Sequence, residues 1–141
     1  MKGTLTVIAL FLVTIISFTK AHAETIQVEM VGLKNAKGHV LVQLFASEDD
    51  WKNEKSIKNE ILTIDGGKSL WRLSELPPGE YAIRCFHDKN DNEKLDSNFL
   101  GIPKEPYGFS NNARGRMGPP SWEASMFSFG SESLTIEIEL N

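Results

Sequence analysis

Leu134, Ile136, Ile138 and Leu140 alternate with Thr135, Glu137, Glu139 and Asn141. A period of two places every second side chain on one face, so this segment must be a strand with one side buried. Ile26, Val28 and Met30 alternate with Gln27 and Glu29 in the same way. Val40 to Ala46 is apolar on both faces and partly β-branched, which suits a central strand. Glu60–Ile64 and Leu70–Leu73 flank Asp65-Gly66-Gly67, a hairpin signal. Leu76-Pro77-Pro78-Gly79 turns the chain sharply into Tyr81, Ile83 and Cys85, with Arg84 and Asp88 on the opposite face. Phe127 and Phe129 mark a further short strand. Amphipathic crossover helices, which a parallel α/β sheet requires, are not found in the pattern. The expectation is an all-β, antiparallel, seven-stranded β-sandwich. The first two strands are expected to pair as a hairpin around Lys34–Gly38. Ser47 and Asp50 fit the capping pattern of a short helical turn within Ser47–Asn59.

The N-terminus reads as an export signal. Lys2 precedes an almost wholly apolar run, Leu5–Phe18, and Ala21-His22-Ala23 places small residues at a cleavage site. Residues 1–23 are thus expected to be removed, leaving 24–141 as one domain in the periplasm or the medium. Two of the 15 basic residues, Lys2 and Lys20, precede that site, so the remaining 13 face 19 acidic residues, a formal charge of −6. That balance argues against nonspecific nucleic-acid binding and against docking on anionic headgroups. No later segment is apolar enough to span a bilayer. Cys85 is the single cysteine, so no internal disulfide can form. In an apolar strand it is a small core hydrophobe.

Two segments could carry function. In His87-Asp88-Lys89-Asn90-Asp91-Asn92-Glu93-Lys94-Leu95-Asp96, the oxygens of Asp88, Asn90, Asn92 and Asp96 occupy loop positions one, three, five and nine. This matches the front half of a calcium loop. Glu93 stands where such loops place Gly, and Phe99 where they place the closing Glu. Any Ca2+ affinity would be weak, about 10⁻⁴–10⁻³ M. The competing reading is an Asx turn whose side chains cap a strand end.

The second segment is the long aperiodic stretch from Asn98 to Ser125. Connections of this length are functional or disordered, and this one is too aromatic for disorder. Tyr107, Phe109 and Trp122 offer apolar faces, while Asn111, Asn112 and Arg114 offer donors and acceptors. That composition suits a site for a planar or polyhydroxylated ligand. The competing reading is self-packing over the end of the sandwich. Arg114 and Arg116 could receive a carboxylate or phosphate, or pair with the acidic run.

Catalysis has little support. His87 and Asp88 are neighbours on a strand and point to opposite faces, which spoils a dyad. Nucleophile elbows, zinc-protease pairs, phosphate loops and dinucleotide fingerprints are all missing.

Leu76-Pro77-Pro78-Gly79-Glu80-Tyr81-Ala82, His87-Asp88 with Asn90, Asn92 and Leu95-Asp96, and the run from Asn98 to Ala113 together resemble the bacterial family called domain of unknown function 2141. Gly101-Ile102-Pro103-Lys104-Glu105 through Ser110-Asn111-Asn112-Ala113 is the most specific part. The resemblance implies a small exported β-sandwich, broadly similar to transthyretin-like or immunoglobulin-like Greek-key modules. It implies no activity. Members of that family usually carry Gly where this chain has Glu93.

The leading expectation is therefore a non-enzymatic exported module. It would bind a small molecule, a glycan or an envelope protein through the 88–127 loop. A calcium-stabilised structural domain is the second reading, and a hydrolase with a site near His87 and Asp88 the third.

Overall fold

The computed structural model describes residues 24–141; the expected export signal lies outside the described residues. Among them are eight strands in two sheets. The strands are β1 (Thr25–Val31), β2 (His39–Phe45), β3 (Lys58–Leu62), β4 (Ser69–Ser74), β5 (Gly79–Asp88), β6 (Tyr107–Phe109), β7 (Phe127–Phe129) and β8 (Leu134–Glu139). Two short helices, α1 (Glu48–Lys52) and α2 (Trp122–Ser125), accompany them. The smaller sheet has the order β4-β1-β8. The larger runs β3-β2-β5-β6, with β7 also paired to β5.

The inner faces of both sheets meet in one apolar cluster. Ile26, Val28 and Met30 of β1, Trp71 and Leu73 of β4 and Ile138 of β8 come from one side. Val40, Val42 and Leu44 of β2 and Tyr81, Ile83 and Cys85 of β5 come from the other. In β1, β5 and β8 these are the alternate positions that the sequence placed on one face. Each fully buried aliphatic side chain contributes about 1.5–3 kcal/mol. Burial pushes the Cys85 thiol well above its ordinary range, so it stays protonated and unreactive.

Three expectations need correction. First, there are eight strands rather than seven, because β6 lies inside the stretch that has no readable period. Three residues are too few to show alternation. Second, the smaller sheet is mixed: β8 runs parallel to β1, pairing Ile26 with Leu134 through Val31 with Glu139. Parallel neighbours need a long crossover, and the whole intervening chain supplies it. Third, β1 and β2 do not form a hairpin. Both edges of β1 are taken, by β4 and β8, while β2 pairs with β3 and β5. The Lys34–Gly38 turn instead carries the chain from one sheet to the other. The hairpin expected at Asp65-Gly66-Gly67 fails in the same way: the Asp65–Lys68 turn, closed by two backbone hydrogen bonds of 2.8 and 3.0 Å, carries the chain from β3 in the larger sheet to β4 in the smaller.

The helical turn forms where expected. Ser47 Oγ accepts from the Asp50 N–H at 3.1 Å and donates to the Asp50 carboxylate at 2.8 Å. α1 lies against the outer face of the larger sheet, where Phe45, Ala82 and Trp122 form a second, small apolar cluster with Trp51 and Met126 packed on it.

One edge between the sheets is sewn shut. Tyr107 and Asn141 exchange backbone hydrogen bonds of 3.2 Å each way. Gly108 makes this approach possible: a Cβ there would lie 2.7 Å from Ile138 Cγ2 and 2.9 Å from the Glu139 carbonyl oxygen.

Candidate functional site

The outer face of the larger sheet carries two features, one at each end of β5. Both depend on even-numbered β5 residues, which point away from the main core: Ala82 and Arg84 toward one end, Asp88 at the other.

At the Asp88 end the chain coils over the strand terminus. Asp88 is only 1 % exposed. Its Oδ1 accepts from the Asn92 N–H at 3.2 Å and its Oδ2 from the Glu93 N–H at 2.7 Å. Glu105 is 6 % exposed and does the same from the far side of the loop. It accepts from Lys89 N–H at 2.8 Å and from Asp96 N–H at 3.0 Å. Two buried carboxylates thus hold four backbone donors of one turn, each such charge-assisted bond being stronger than a neutral one.

Asn90 and Asn92 turn their amide N–H groups to the two oxygens of Asp96, at 2.7 and 3.1 Å. Asn92 Oδ1 accepts from Lys94 N–H at 2.9 Å. The acidic run therefore takes its partners from the turn's own backbone and amides. Neither Arg114 nor Arg116 forms an ion pair among the described residues. His39 Nδ1 lies 2.6 Å from Asp91 Oδ1, tying the start of β2 to the same turn.

Glu93 has φ of +59°, in the left-handed region that favours glycine. Glu93→Gly is predicted to stabilise the domain by about 1 kcal/mol, since the left-handed penalty for a residue with a Cβ is about 1–2 kcal/mol and glycine's extra chain entropy offsets part of it. A urea midpoint lower than that of the parent would refute this.

His87 is 1 % exposed, on the opposite face from Asp88. Its Nε2 lies 2.6 Å from the Lys37 carbonyl oxygen. A carbonyl only accepts, so Nε2 carries the proton. Nδ1 is buried with no hydrogen-bond partner.

At the other end of β5, α1 and residues 119–123 enclose a concavity of about 250 Å³. Trp51 and Trp122 line it, their rings 6.3 Å apart and inclined at 64°. Trp51 Nε1 donates to the Pro120 carbonyl at 3.1 Å, which fixes the indole. Charged side chains stand around the rings in opposed pairs. Lys52 meets Glu48 one turn earlier on α1. Arg84 lies 3.3 Å from Glu54 and also donates from Nε to Gln43 Oε1 at 2.6 Å. Its guanidinium sits 5.1 Å from the Phe45 ring centroid. The hydrogen bond that Lys52 donates to the Glu48 carboxylate raises the Lys52 pKa. Glu123 caps its own helix start, and the backbone N–H there and the Ser121 hydroxyl lower its pKa.

The long loop closes this end by its own side chains. Ser110 is fully buried; its Oγ accepts from Ile83 N–H at 2.9 Å and donates to the Ser125 carbonyl at 2.5 Å. Asn111 Nδ2 donates to the Met126 carbonyl at 2.7 Å, and Asn112 Oδ1 accepts from Glu139 N–H at 2.8 Å. Phe109 is buried and packs edge-on to Trp51 and Tyr107. Of Tyr107, Phe109, Asn111, Asn112, Arg114 and Trp122, only Trp122 lines the concavity. Sequence reasoning passed over Trp51, Lys52 and Arg84. The available signal was Trp51 itself, a large aromatic set among charges in a helical turn.

No curated protein and no solved structure matches the chain. A family model does match, over residues 28–137, and its description is an uncharacterized protein conserved in bacteria. With most of its length covered, the chain belongs to that family, DUF2141.

Proposed function

We propose that this chain is an exported, non-enzymatic β-sandwich of the transthyretin-like or immunoglobulin-like kind that binds a small polyhydroxylated ligand between α1 and residues 119–123. The observation that carries this reading is the concavity lined by Trp51 and Trp122. Its volume of about 250 Å³ is near the lower end for small-molecule sites and suits roughly one sugar ring. The half-buried Trp51 indole gives a hydroxylated ring's apolar face something to pack on, with Trp122, only 7 % exposed, backing it. The surrounding carboxylates and cations are largely paired with each other. They therefore offer directional hydrogen bonds with little net field, which favours a neutral ligand over an ion. The apolar Leu5–Phe18 run before Ala21-His22-Ala23 supports export.

Two of the three tryptophans line the site, and the third, Trp71, is buried in the main core. Titration with a panel of mono- and oligosaccharides is therefore expected to change tryptophan emission saturably. Glu123→Gln should weaken that binding about tenfold, the effect of losing a hydrogen bond to a charged group. Its melting temperature should fall only slightly, since Glu123 caps the start of α2 from an exposed position. An emission spectrum indifferent to every sugar tested, with a bare mass in native mass spectrometry of the exported protein, would sink the proposal.

A second reading is that Ca2+ braces the Asp88–Asp96 turn. Asp88 and Glu105 are buried carboxylates, and neither has a basic partner among the described residues. Buried charges are ordinarily paired or bound to metal. In the arrangement described here their oxygens face backbone N–H groups, so a cation would have to reorganise the Asn90 and Asn92 amides toward Asp96. Ca2+ in millimolar excess should then raise the melting temperature and chelator should lower it. Identical melting curves under both conditions would remove calcium from the account.

A further inference from the structure

A different part of the long loop points outward. Between Asp96 and Lys104 the chain forms a narrow two-legged projection. Lys104 N–H donates to the Asp96 carbonyl at 2.7 Å, Ser97 and Pro103 bridge, and Asn98 N–H donates to the Ile102 carbonyl at 2.9 Å. Asn98 then organises the apex. Its Oδ1 accepts from Leu100 N–H at 2.9 Å and Ile102 N–H at 3.0 Å, and its carbonyl accepts from Gly101 N–H at 2.9 Å. Gly101 supplies the left-handed residue that such a turn requires, at φ of +78°.

This order is spent on holding apolar groups in water. Phe99 is 95 % exposed, Leu100 68 % and Ile102 57 %. They are consecutive around one turn, not scattered over the surface. A cluster of that kind on a rigid support marks an interaction site.

The shape selects the occupant. The feature is a convex tip, so it needs a partner that opens around it. The N–H groups of Asn98, Leu100, Gly101 and Ile102 are already satisfied within the turn. The Phe99 N–H and the carbonyls of Phe99, Leu100 and Gly101 have no partner within the turn, so only the side chains of the apex can enter hydrocarbon, since an unsatisfied backbone group there costs several kcal/mol in general. The side chains that follow the apex are arranged for an interface. Lys104 at the end of one leg and Lys94 two residues before the start of the other are exposed and lie outside any ion pair among the described residues. Their long stems can reach the headgroup level while the apex lies deeper. Asp96, at the foot, is engaged by the Asn90 and Asn92 amides.

We propose that the Asn98–Ile102 tip is a membrane-contact element, inserting Phe99, Leu100 and Ile102 shallowly into the outer part of a lipid bilayer. The attraction is apolar, because the chain as a whole is acidic. Three side chains give weak, reversible attachment, of the order provided by a single acyl chain or less. The proposal is independent of the concavity and of calcium.

The test is flotation of exported protein, of a mass showing cleavage after Ala23, with neutral phosphatidylcholine vesicles. The parent is expected in the vesicle fraction at about ten times the amount of the triple variant Phe99→Ser, Leu100→Ser, Ile102→Ser, the scale set by losing most of one weak anchor. The variant should fold normally, since it removes only exposed side chains, and equal melting temperatures would confirm this. Raised salt should leave flotation of the parent unchanged, because the attachment is not electrostatic. Equal flotation of both proteins, or of neither, would overturn the proposal. So would a lipid-free dimer of the parent that the triple variant abolishes, for the tip would then be pairing with a second copy.

Discussion

Gly38→Ala is expected to lower stability by about 2–5 kcal/mol, from a left-handed penalty of about 1–2 kcal/mol and a steric penalty of about 1–3 kcal/mol. Gly38 has φ of +74°. A Cβ there would lie 1.9 Å from the Asp88 carbonyl oxygen and 2.8 Å from Lys89 Cα. Both obstacles are backbone, so no side chain can swing aside. The chain entering β2 passes this close because His39 pairs with Asp88 in the sheet. Relief would require moving the end of β5, and with it the turn that Asp88 caps. The measurement is the urea midpoint at unchanged m-value. A midpoint within error of the parent would mean that the two chains do not approach here as described.

Asp88→Ala is expected to cost about 2–6 kcal/mol, because two part-buried N–H groups are left unsatisfied at about 1–3 kcal/mol each. The Asn92 and Glu93 N–H groups both lose their acceptor. Asp88→Asn keeps one oxygen and should lose about half as much, by the same reasoning. Glu105→Gln removes charge from the opposite side of the same turn, where Lys89 and Asp96 donate. The two carboxylates cap one turn of chain, so their losses should not add. A combined variant whose loss equals the sum of the two would show that Asp88 and Glu105 act independently. Asp88→Ala with parental stability would show that its carboxylate caps nothing.

The two short helices illustrate how local information becomes structure. Ser47 and Asp50 stand three residues apart, and the cap they form needs nothing from the rest of the chain. Trp122 is different. Its helix is a single turn, capped by Ser121 but carried by packing against Phe45 and Ala82, which lie far away in sequence. The loop between Asn98 and Ser125 shows the same division. Its aromatic and amide content announced order. Which of its groups satisfy backbone was settled by distant partners, such as Met126 for Asn111 and Glu139 for Asn112.

The acidic run was legible as a special turn because Asp and Asn at alternate positions can bond backbone nearby. Glu105 was not legible as its second anchor. It sits nine residues beyond Asp96, across a turn whose path the sequence does not reveal. The concavity beside Trp51 was invisible for the same reason: its walls come from α1, β5 and the 119–123 segment.

Sequence by itself determined seven of the eight strands, the inward faces of β1, β5 and β8, the first helical cap and the acidic turn, because each depends on residues within a few positions of one another. Tertiary structure alone decided that β1 lies between β4 and β8, that β8 runs parallel to it, and that Gly38 and Gly108 mark close approaches of backbone. A period of two states which face is apolar. It carries no information on which strand lies alongside, since every inward-facing Val, Ile or Leu suits any apolar neighbour. That choice is made only when the whole core packs at once.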